Sequence, residues 1–171
     1  MKHIISVFLL IAAFLTGCET KEVKNIENSV NFYYLRQSNT YGAVDSVFLA
    51  EARELSNVDL EPSVLLKHYL EGPQSTELVS PFPDKLQLVS FSVEDQRAYI
   101  TLSNELTELD NFSRTLACAC ITKTILEITN VNSVEICVEI GAIQDDSLFI
   151  TMDSKSLLLF DSATVTNENK K

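Results

Sequence analysis

Residues 64–83 read VLLKHYLEGPQSTELVSPFP, in which a helix with a marked end is followed by a loop stiffened by proline. The apolar face of this helix consists of Leu65, Leu66, Tyr69 and Leu70. Pro62 suits the first turn of the helix, and Gly72-Pro73 ends it because proline cannot continue a helix. The pattern therefore predicts a helix from Pro62 to Glu71 and then a loop that contains Pro81-Phe82-Pro83.

Strand patterns lie on both sides of this segment. They are rich in β-branched and aromatic residues, or apolar residues alternate in them with polar ones. In the second strand, Val47 and Leu49 are expected to lie on one buried face. The predicted strands cover residues 30–35, about 44–55, 86–93, 97–103, 134–140, 148–152 and 157–160.

Two of these strands form a predicted hairpin, with its turn around Glu94-Asp95-Gln96. On the second arm, Ala98, Ile100 and Leu102 alternate with residues that face the other way. This alternation predicts one buried face for the hairpin.

A second and longer helix is predicted from Asn111 to Thr129, with Asn111 as its N-terminal cap. Its apolar residues include Phe112, Leu116, Ile121, Ile125 and Ile128. Few of its positions are charged, so most of the helix is expected to be buried against a sheet. Strands separated by two helices indicate the α+β class. We expect a mixed or antiparallel sheet of about five to six strands, with two helices packed mainly on one face.

The N-terminal eighteen residues have the order of a secretory signal. Lys2 and His3 precede the apolar run Ile4–Phe14, which is shorter than the ~20 residues of a membrane-spanning helix. The junction Leu15-Thr16-Gly17-Cys18 resembles a bacterial lipobox. The resemblance implies cleavage between Gly17 and Cys18 and a diacylglyceryl group on the Cys18 thiol, which would anchor the protein at the extracytoplasmic face of the cell membrane. The alternative is an ordinary signal peptide with a chance cysteine.

These features predict one domain with a leader, a tether and a tail. The expected parts are a signal peptide (1–17), a polar tether (18–29), a single domain (30–160) and a flexible polar tail (161–171). The formal net charge of −11 argues against nucleic-acid binding, because such a surface repels phosphate backbones. The carboxylates are scattered and no Asp-x-Asp-x-Asp-Gly loop occurs, so neither a metal nor another cofactor is predicted.

Three cysteines remain besides Cys18. Cys118 and Cys120 lie two positions apart in the long predicted helix and point to different sides of it. Cys137 alternates with the apolar residues of a strand and is expected to face away from the helix. We therefore expect no disulfide, and no metal site because further ligands are not nearby.

The middle of the chain resembles the GerMN domain of sporulation and spore-germination proteins. The resemblance begins with Glu51-x-Arg53 and the helix that Gly72-Pro73 ends, and it continues through Leu78-x-Ser80-x-Phe82-Pro83. It also includes the arm 98–103 and the helix-to-strand passage 124–138, so that it covers about residues 30–142. In this family the hairpin turn usually carries glycine, which the turn at residues 94–97 of this chain lacks.

The resemblance implies a lipoprotein outside the membrane, with room for one copy of the domain. No catalytic activity is attributed to the family, and related domains are associated with ring-like assemblies between mother cell and forespore. A protein partner or self-association is therefore expected. The loop Pro81-Phe82-Pro83 and Arg53 are candidate contacts, although the loop also has a structural explanation and Arg53 fits either an anionic ligand or a salt bridge across the sheet.

Enzyme signals are weak. His68 shares a helical face with Glu71, but Ser63 is an unconvincing nucleophile and no Gly-x-Ser-x-Gly motif occurs. The thiols of Cys118 and Cys120 lie in an apolar helix, which disfavours the thiolate. No catalytic residue is predicted.

Three functions stay open at this point. The first is a membrane-anchored, non-catalytic interaction module in sporulation, germination or envelope assembly. The second is a small ligand-binding lipoprotein accessory to a transporter, which would require an apolar pocket lined by Tyr33, Tyr34 and Tyr69. The third is a small envelope hydrolase, which the scarcity of histidine disfavours.

Overall fold

The first sheet is built around strand β1 (Ser29–Arg36), which pairs antiparallel with β2 (Phe48–Glu54) on one side. On its other side, the last residues of β1 pair with the short strand β3 (Leu78–Val79), so the strand order is β2-β1-β3. Farther along that second edge of β1, side chains bond the backbone of Tyr33. Thr124 Oγ1 accepts a hydrogen bond of 3.1 Å from the Tyr33 amide, and the Tyr69 hydroxyl donates one to the Tyr33 carbonyl.

The computed structural model of the chain describes residues 29–37, 47–55, 60–139 and 149–157. The predicted signal peptide and lipobox, the start of the second predicted strand and the polar tail lie outside the described residues.

The second sheet contains four strands in the order β4-β5-β6-β7, with the bounds β4 (Leu88–Glu94), β5 (Arg97–Leu102), β6 (Ser133–Val138) and β7 (Ile150–Asp153). Strands β5 and β6 are parallel, whereas the other two pairs are antiparallel. The sheet is therefore mixed, and the α+β class is confirmed, with seven strands in two sheets among the described residues.

The predicted hairpin of β4 and β5 is confirmed, and its two turn residues Asp95 and Gln96 have φ of 47° and 61°. Positive φ at both positions is the type I′ geometry that matches strand twist and favours glycine or asparagine. The chain forms this turn without the glycine that is usual in the family. On the second arm, Ala98, Ile100 and Leu102 are fully buried, as the alternation predicts.

Helix α1 (Pro62–Leu70) begins with Pro62 in its first turn, as predicted, and Leu65, Leu66 and Tyr69 are buried. Its last residue is Leu70, and two residues later Gly72 has a φ of +95°, in the left-handed region. Glycine adopts this conformation without steric penalty from a Cβ, which explains the sharp end of the helix.

Helix α2 (Asn111–Ile128) crosses between the parallel strands β5 and β6, after a 3₁₀ helix at Asn104–Glu108. It packs against β1 of the first sheet and against β6 and β7 of the second. The expectation that most of it is buried holds only for its middle, because residues 117–122, 124 and 125 are buried, eight of the eighteen, whereas the other ten are half-buried or exposed. This helix therefore holds the two sheets together.

Two details of α2 differ from the prediction. Its N-terminal cap is Asp110, not Asn111, because the Asp110 carboxylate accepts hydrogen bonds from the amides of Phe112 (2.9 Å) and Ser113 (3.0 Å). Phe112, the second residue of the helix, is 69% exposed and does not contribute to its buried face.

Two strand predictions also need correction. Residue Leu157 belongs to the single helical turn α3 (Ser154–Leu157), not to a strand, because the Asp153 carboxylate accepts a hydrogen bond of 2.8 Å from the Ser156 amide and turns the chain. Strand β2 buries side chains on both faces. Phe48 and Arg53, an odd number of residues apart, are buried, whereas Val47 and Leu49 are half-buried.

Candidate functional site

A groove of about 430 Å³ opens between the C-terminal half of α1 and the loop that leads into β4. Lys67, Leu70 and Glu71 line it from the helix side, and residues 80 and 82–87 line it from the loop. We call this feature the α1 groove. Its size falls within the range of ~300–1,000 Å³ that is typical of ligand-binding clefts. Two of the predicted contact residues, Phe82 and Pro83, therefore lie in a concave part of the surface.

The loop is held in place by its proline and phenylalanine residues. Pro81 is buried, and the Phe82 ring packs edge-on against Tyr69 at a centroid distance of 5.0 Å. The Phe82 amide donates a hydrogen bond of 3.2 Å to Ser80 Oγ. Most of the Phe82 side chain therefore belongs to the core, with an exposed fraction of 9%, and the half-buried Pro83 is the more accessible of the two groove residues.

Polar and charged groups surround the mouth of the groove. Lys67, Asp84, Lys85 and Gln87 are exposed. Glu71 Oε1 lies 3.5 Å from Nδ1 of His68, an ion pair on the helix surface when the histidine is protonated. Lys67 and Lys85 have no salt bridge within the described residues, but the charge of Lys85, after a hydrogen bond from Ser103, helps to lower the pKa of Glu105.

Arg53 lies behind the helix wall of the groove and is only 7% exposed. Its guanidinium forms an ion pair of 2.6 Å with Glu51, in the same strand rather than across the sheet. It also donates hydrogen bonds to the carbonyls of His68 (3.2 Å) and Gly72 (2.5 Å) and to the Tyr34 hydroxyl (3.0 Å). These contacts give Arg53 the geometry of a positioning residue for the end of α1, and its direct contact with a partner stays a prediction.

Glu51 completes this arrangement from the other side. Its carboxylate accepts hydrogen bonds from the backbone amides of Gln74 (2.9 Å) and Ser75 (2.7 Å). The pair Glu51–Arg53 thus binds both the end of α1 and the segment after it. Buried charges require such pairing and hydrogen bonding to be tolerated.

The tyrosines expected to line a ligand pocket are packed into the core instead. Tyr34 and Tyr69 are fully buried, and their ring centroids are 4.9 Å apart. The Tyr34 hydroxyl donates to the Tyr69 carbonyl at 2.8 Å, and desolvation raises the pKa of both phenols. Because these rings fill the space between β1 and α1, they do not form the apolar pocket that a transporter accessory would require.

Tyr33 lies on the other face of β1, beside helix α2. Its hydroxyl donates to the Glu127 carboxylate, and Lys123 Nζ lies 4.9 Å from the ring centroid. Desolvation, followed by the Glu127 hydrogen bond and charge, raises the pKa of Tyr33 to about 12. This contact joins β1 to α2.

The three cysteines of the described domain are unpaired. Burial raises the pKa of the Cys118 thiol to about 12, and burial likewise raises that of Cys120. Cys137 is half-buried, and its Sγ lies 3.3 Å from Thr101 Oγ1 on the neighbouring strand. Within the four described stretches there is no cluster of three or more His, Cys, Asp or Glu side chains that could hold a metal ion.

Sequence reasoning missed Lys67 and Lys85 as residues of the site. Each is an isolated charged residue without a motif, so no pattern distinguishes it from an ordinary surface lysine. The loop wall of the α1 groove was detectable from its prolines. The support of the helix wall was detectable from the Glu51-x-Arg53 motif.

Comparison with known proteins identifies the fold and the family. The Germane family model, described as sporulation and spore germination, matches residues 31–139. The chain belongs to the Germane family. The match includes helices α1 and α2 and the loop side of the α1 groove. It also includes the strands of both sheets, with the exception of β7. No curated protein sequence matches the chain.

Solved structures support the Germane fold. The first GerMN domain of the sporulation protein GerM from Bacillus subtilis is similar with a TM-score of 0.50 and 15% identity, over 68% of this chain and 86% of that chain. The tandem GerMN domains of the same protein give a TM-score of 0.51 and 17% identity, over 79% of this chain and 48% of that chain. This chain therefore spans about half the length of the tandem structure. No helix in the described stretches is long and apolar enough to cross a membrane.

Proposed function

We propose that this Germane-family protein is a lipid-anchored, extracytoplasmic protein that binds another protein and catalyses no reaction, in sporulation, germination or envelope assembly. The observation that carries the proposal is the family match over residues 31–139. The GerM domains with a similar fold belong to a protein described as a sporulation protein.

The anchoring part of the proposal rests on the Leu15-Thr16-Gly17-Cys18 junction. A diacylglyceryl group on Cys18 would bind the membrane stably, because two acyl chains bury enough methylene groups to prevent rapid release. The strongly acidic composition, with a net charge of −11, would add no attraction for anionic lipids. Membrane contact would then depend on the lipid alone.

The binding part of the proposal rests on the α1 groove. Its loop wall is anchored by buried Pro81, Phe82 and Leu86, and its helix wall is fixed by Arg53. A concave surface with fixed walls and exposed polar groups at its mouth suits a partner that inserts a small part of its own surface. The groove side chains lack a nucleophile paired with a base, which supports a non-catalytic role.

The role in the cell is tested by deletion in the source organism. We expect the deletion strain to form fewer heat-resistant spores, to germinate more slowly or to show an envelope defect, and complementation to restore the wild-type behaviour. A deletion strain that matches the wild type in all three measurements would contradict the proposal.

The anchor is tested by fractionation. We expect the wild-type protein in the membrane fraction and the Cys18→Ala variant in the medium or the soluble extracytoplasmic fraction. A variant that stays with the membrane would show that the lipobox interpretation is wrong.

The binding surface is tested by photo-crosslinking in cells. A photoreactive amino acid at Asp84, at the mouth of the groove, should give a discrete adduct with another protein, whereas the same group at exposed Asp95 in the β4–β5 turn should not. Equal adducts at both positions, or none at Asp84, would argue against the groove as the contact surface.

A further inference from the structure

Strand β4 forms one edge of the four-stranded sheet. Among the described residues it pairs only with β5, so its other side has no strand partner there. Hydrogen bonds alternate along an antiparallel pair, and every second residue of β4 therefore directs its backbone amide and carbonyl away from β5. In the second half of the strand, Ser90, Ser92, Val93 and Glu94 are exposed. The backbone of this segment is thus accessible to an additional strand.

The sequence of β4 lacks most of the features that protect an open sheet edge. Proteins usually protect such an edge with lysine, proline, a bulge or a covering element. Residues 88–93 read LVSFSV and contain neither a charge nor a proline. The register of β4 and β5 shifts between Leu88 and Ser90, so a bulge interrupts the strand only near its start. The regular segment Ser90–Glu94, which we call the β4 edge, is therefore open to pairing.

The side chains of the β4 edge alternate between the two faces of the sheet. Phe91 and Val93 are paired with fully buried residues of β5, so they lie on the core side. Ser90 and Ser92 lie on the opposite side. Val93 is 48% exposed although it lies on the core side, which leaves apolar surface for a neighbouring strand to cover.

We infer that the β4 edge pairs antiparallel with the β4 edge of a second copy of this chain, around a two-fold axis at Ser92. Such an interface must be self-complementary, because both copies present the same surface. The β4 edge meets this requirement, since Ser92 lies opposite its own counterpart and Phe91 of each copy lies opposite Val93 of the other. The bulge before Ser90 limits the regular ladder to five residues, of which Ser92 is the centre.

The distribution of charge permits this contact between two acidic molecules. The net charge of −11 makes most of the surface repel a second copy. The β4 edge carries a single charge, Glu94, and the pairing puts it opposite Ser90 of the other copy. The two Glu94 residues are then separated by four residues along the strands, or roughly 13 Å. The β4 edge is a different surface from the α1 groove, so the inference goes beyond the proposed function.

The test is disulfide trapping of the full chain in intact cells. Each variant carries one added cysteine in a Cys137→Ser background, and the parent chain without it gives the baseline. Copper–phenanthroline in air should trap Ser92→Cys as a dimer, because Cα atoms of opposite residues lie about 4.5–5.5 Å apart, within the range of a disulfide. Ser90→Cys is the matched control on the same face of the same strand. It should stay monomeric, because it lies opposite Glu94 and not opposite itself.

A charge on the β4 edge should prevent the pairing. We expect Val93→Lys to reduce the yield of the Ser92→Cys dimer at least about fivefold, because Phe91 loses its apolar neighbour and the edge gains a lysine. Val79→Lys, at a 43% exposed position on β3, should leave the yield unchanged. The inference would be overturned by an undiminished dimer in Val93→Lys, by equal trapping of Ser92→Cys and Ser90→Cys, or by no dimer above the baseline.

The outcome can be separated from that of the proposed function. A dimer has twice the mass of the chain, whereas the adduct expected from a photoreactive group at Asp84 contains another protein. The same criterion distinguishes an adduct of the Asp95 control with a second copy, since Asp95 adjoins the β4 edge. If the Asp84 adduct forms but Ser92→Cys gives no dimer, the pairing inference is wrong and the interaction role stands. If the dimer forms without the Asp84 adduct, the groove contact is wrong and the pairing stands.

Discussion

Nη2 of Arg53 donates a hydrogen bond of 2.5 Å to the carbonyl oxygen of Gly72, so a buried charge on β2 holds the residue that ends α1. The same guanidinium lies 4.9 Å from the Phe32 ring centroid and pairs with Glu51. The strand, the helix end and the segment after the helix are thus joined by one charged pair. The stability of the groove wall should depend on it.

Removal of the Arg53 charge should therefore be strongly destabilising. We expect Arg53→Met to lower the free energy of unfolding by about 3–5 kcal/mol in urea denaturation, because Glu51 would remain buried without its partner. The control is Arg97→Met, which breaks a more exposed pair with Glu135 (42% and 25% exposed side chains) and should cost less than about 1 kcal/mol. Similar losses for the two variants would contradict the importance of the Glu51–Arg53 pair.

The conformation of Gly72 predicts a penalty that comes from the backbone alone. A Cβ at Gly72 would meet Ser80 Cβ at 3.7 Å, an ordinary contact, so space is available but φ of +95° is unfavourable. We expect Gly72→Ala to lower the free energy of unfolding by about 1–2 kcal/mol. Gly72→Asn should lower it less, since asparagine tolerates positive φ better. Equal stability of the alanine variant and the wild type in urea would refute this account of the helix end.

The cap of α2 predicts a pH dependence. The Ser113 amide and hydroxyl, and then the Phe112 amide, hold the pKa of Asp110 below its usual value by hydrogen-bonding the carboxylate. The Asp110 carboxylate thus binds a proton less readily in the folded state than in the unfolded state. Its contribution to stability is complete above the pKa of the unfolded state and is lost as the pH falls through the lower pKa of the folded state. We expect the melting temperature to decrease as the pH is lowered below about 4.

Two substitutions separate the cap from its charge. Asp110→Ala should lower the melting temperature at neutral pH because the amides of Phe112 and Ser113 lose their acceptor. Asp110→Asn should retain much of the neutral-pH stability and reduce the acid-induced loss. Part of that loss should persist, because Ser156 lowers the pKa of Asp153 in the same way. An acid profile unchanged by Asp110→Asn would exclude Asp110 as a contributor.

The thiols should differ in reactivity. In a Cys18→Ser background, we expect a thiol reagent at pH 8 to modify Cys137 in the native protein while Cys118 and Cys120 react only after unfolding. Cys137 is half-buried on the sheet, whereas the two helical thiols are fully buried, and burial disfavours their thiolates. A Cys137→Ser variant should lose the native reaction, and rapid native labelling of that variant would show that the helix opens.

Local signals in the sequence predicted much of the fold. Pro62 and Gly72 mark α1 closely, and the alternation of Ala98, Ile100 and Leu102 identifies the buried face of β5. These predictions succeed because propensity and periodicity act between residues that are near in the chain. The cap prediction failed by one residue, since Asp110 and Asn111 are both good caps and only the hydrogen bonds to Phe112 and Ser113 distinguish them.

Contacts between distant residues were not predictable in this way. Tyr34 and Tyr69 looked suitable for lining a pocket, but their rings meet at 4.9 Å in the core. The aromatic residues of β1 gave no indication that Thr124 of α2 would accept a hydrogen bond from the Tyr33 amide at the edge of that strand. The strand patterns likewise missed the short strand β3 and gave no indication that the strands would divide between two sheets.

The sequence by itself determined the α+β class, the helix that Gly72-Pro73 ends and the family to which the domain belongs. The tertiary structure decided that Arg53 supports the end of α1 and that Lys67 and Lys85 line one groove. The physical reason is that helix ends and alternating faces follow from neighbouring residues, whereas the groove exists only when α1 and the 80–87 loop pack against a common core.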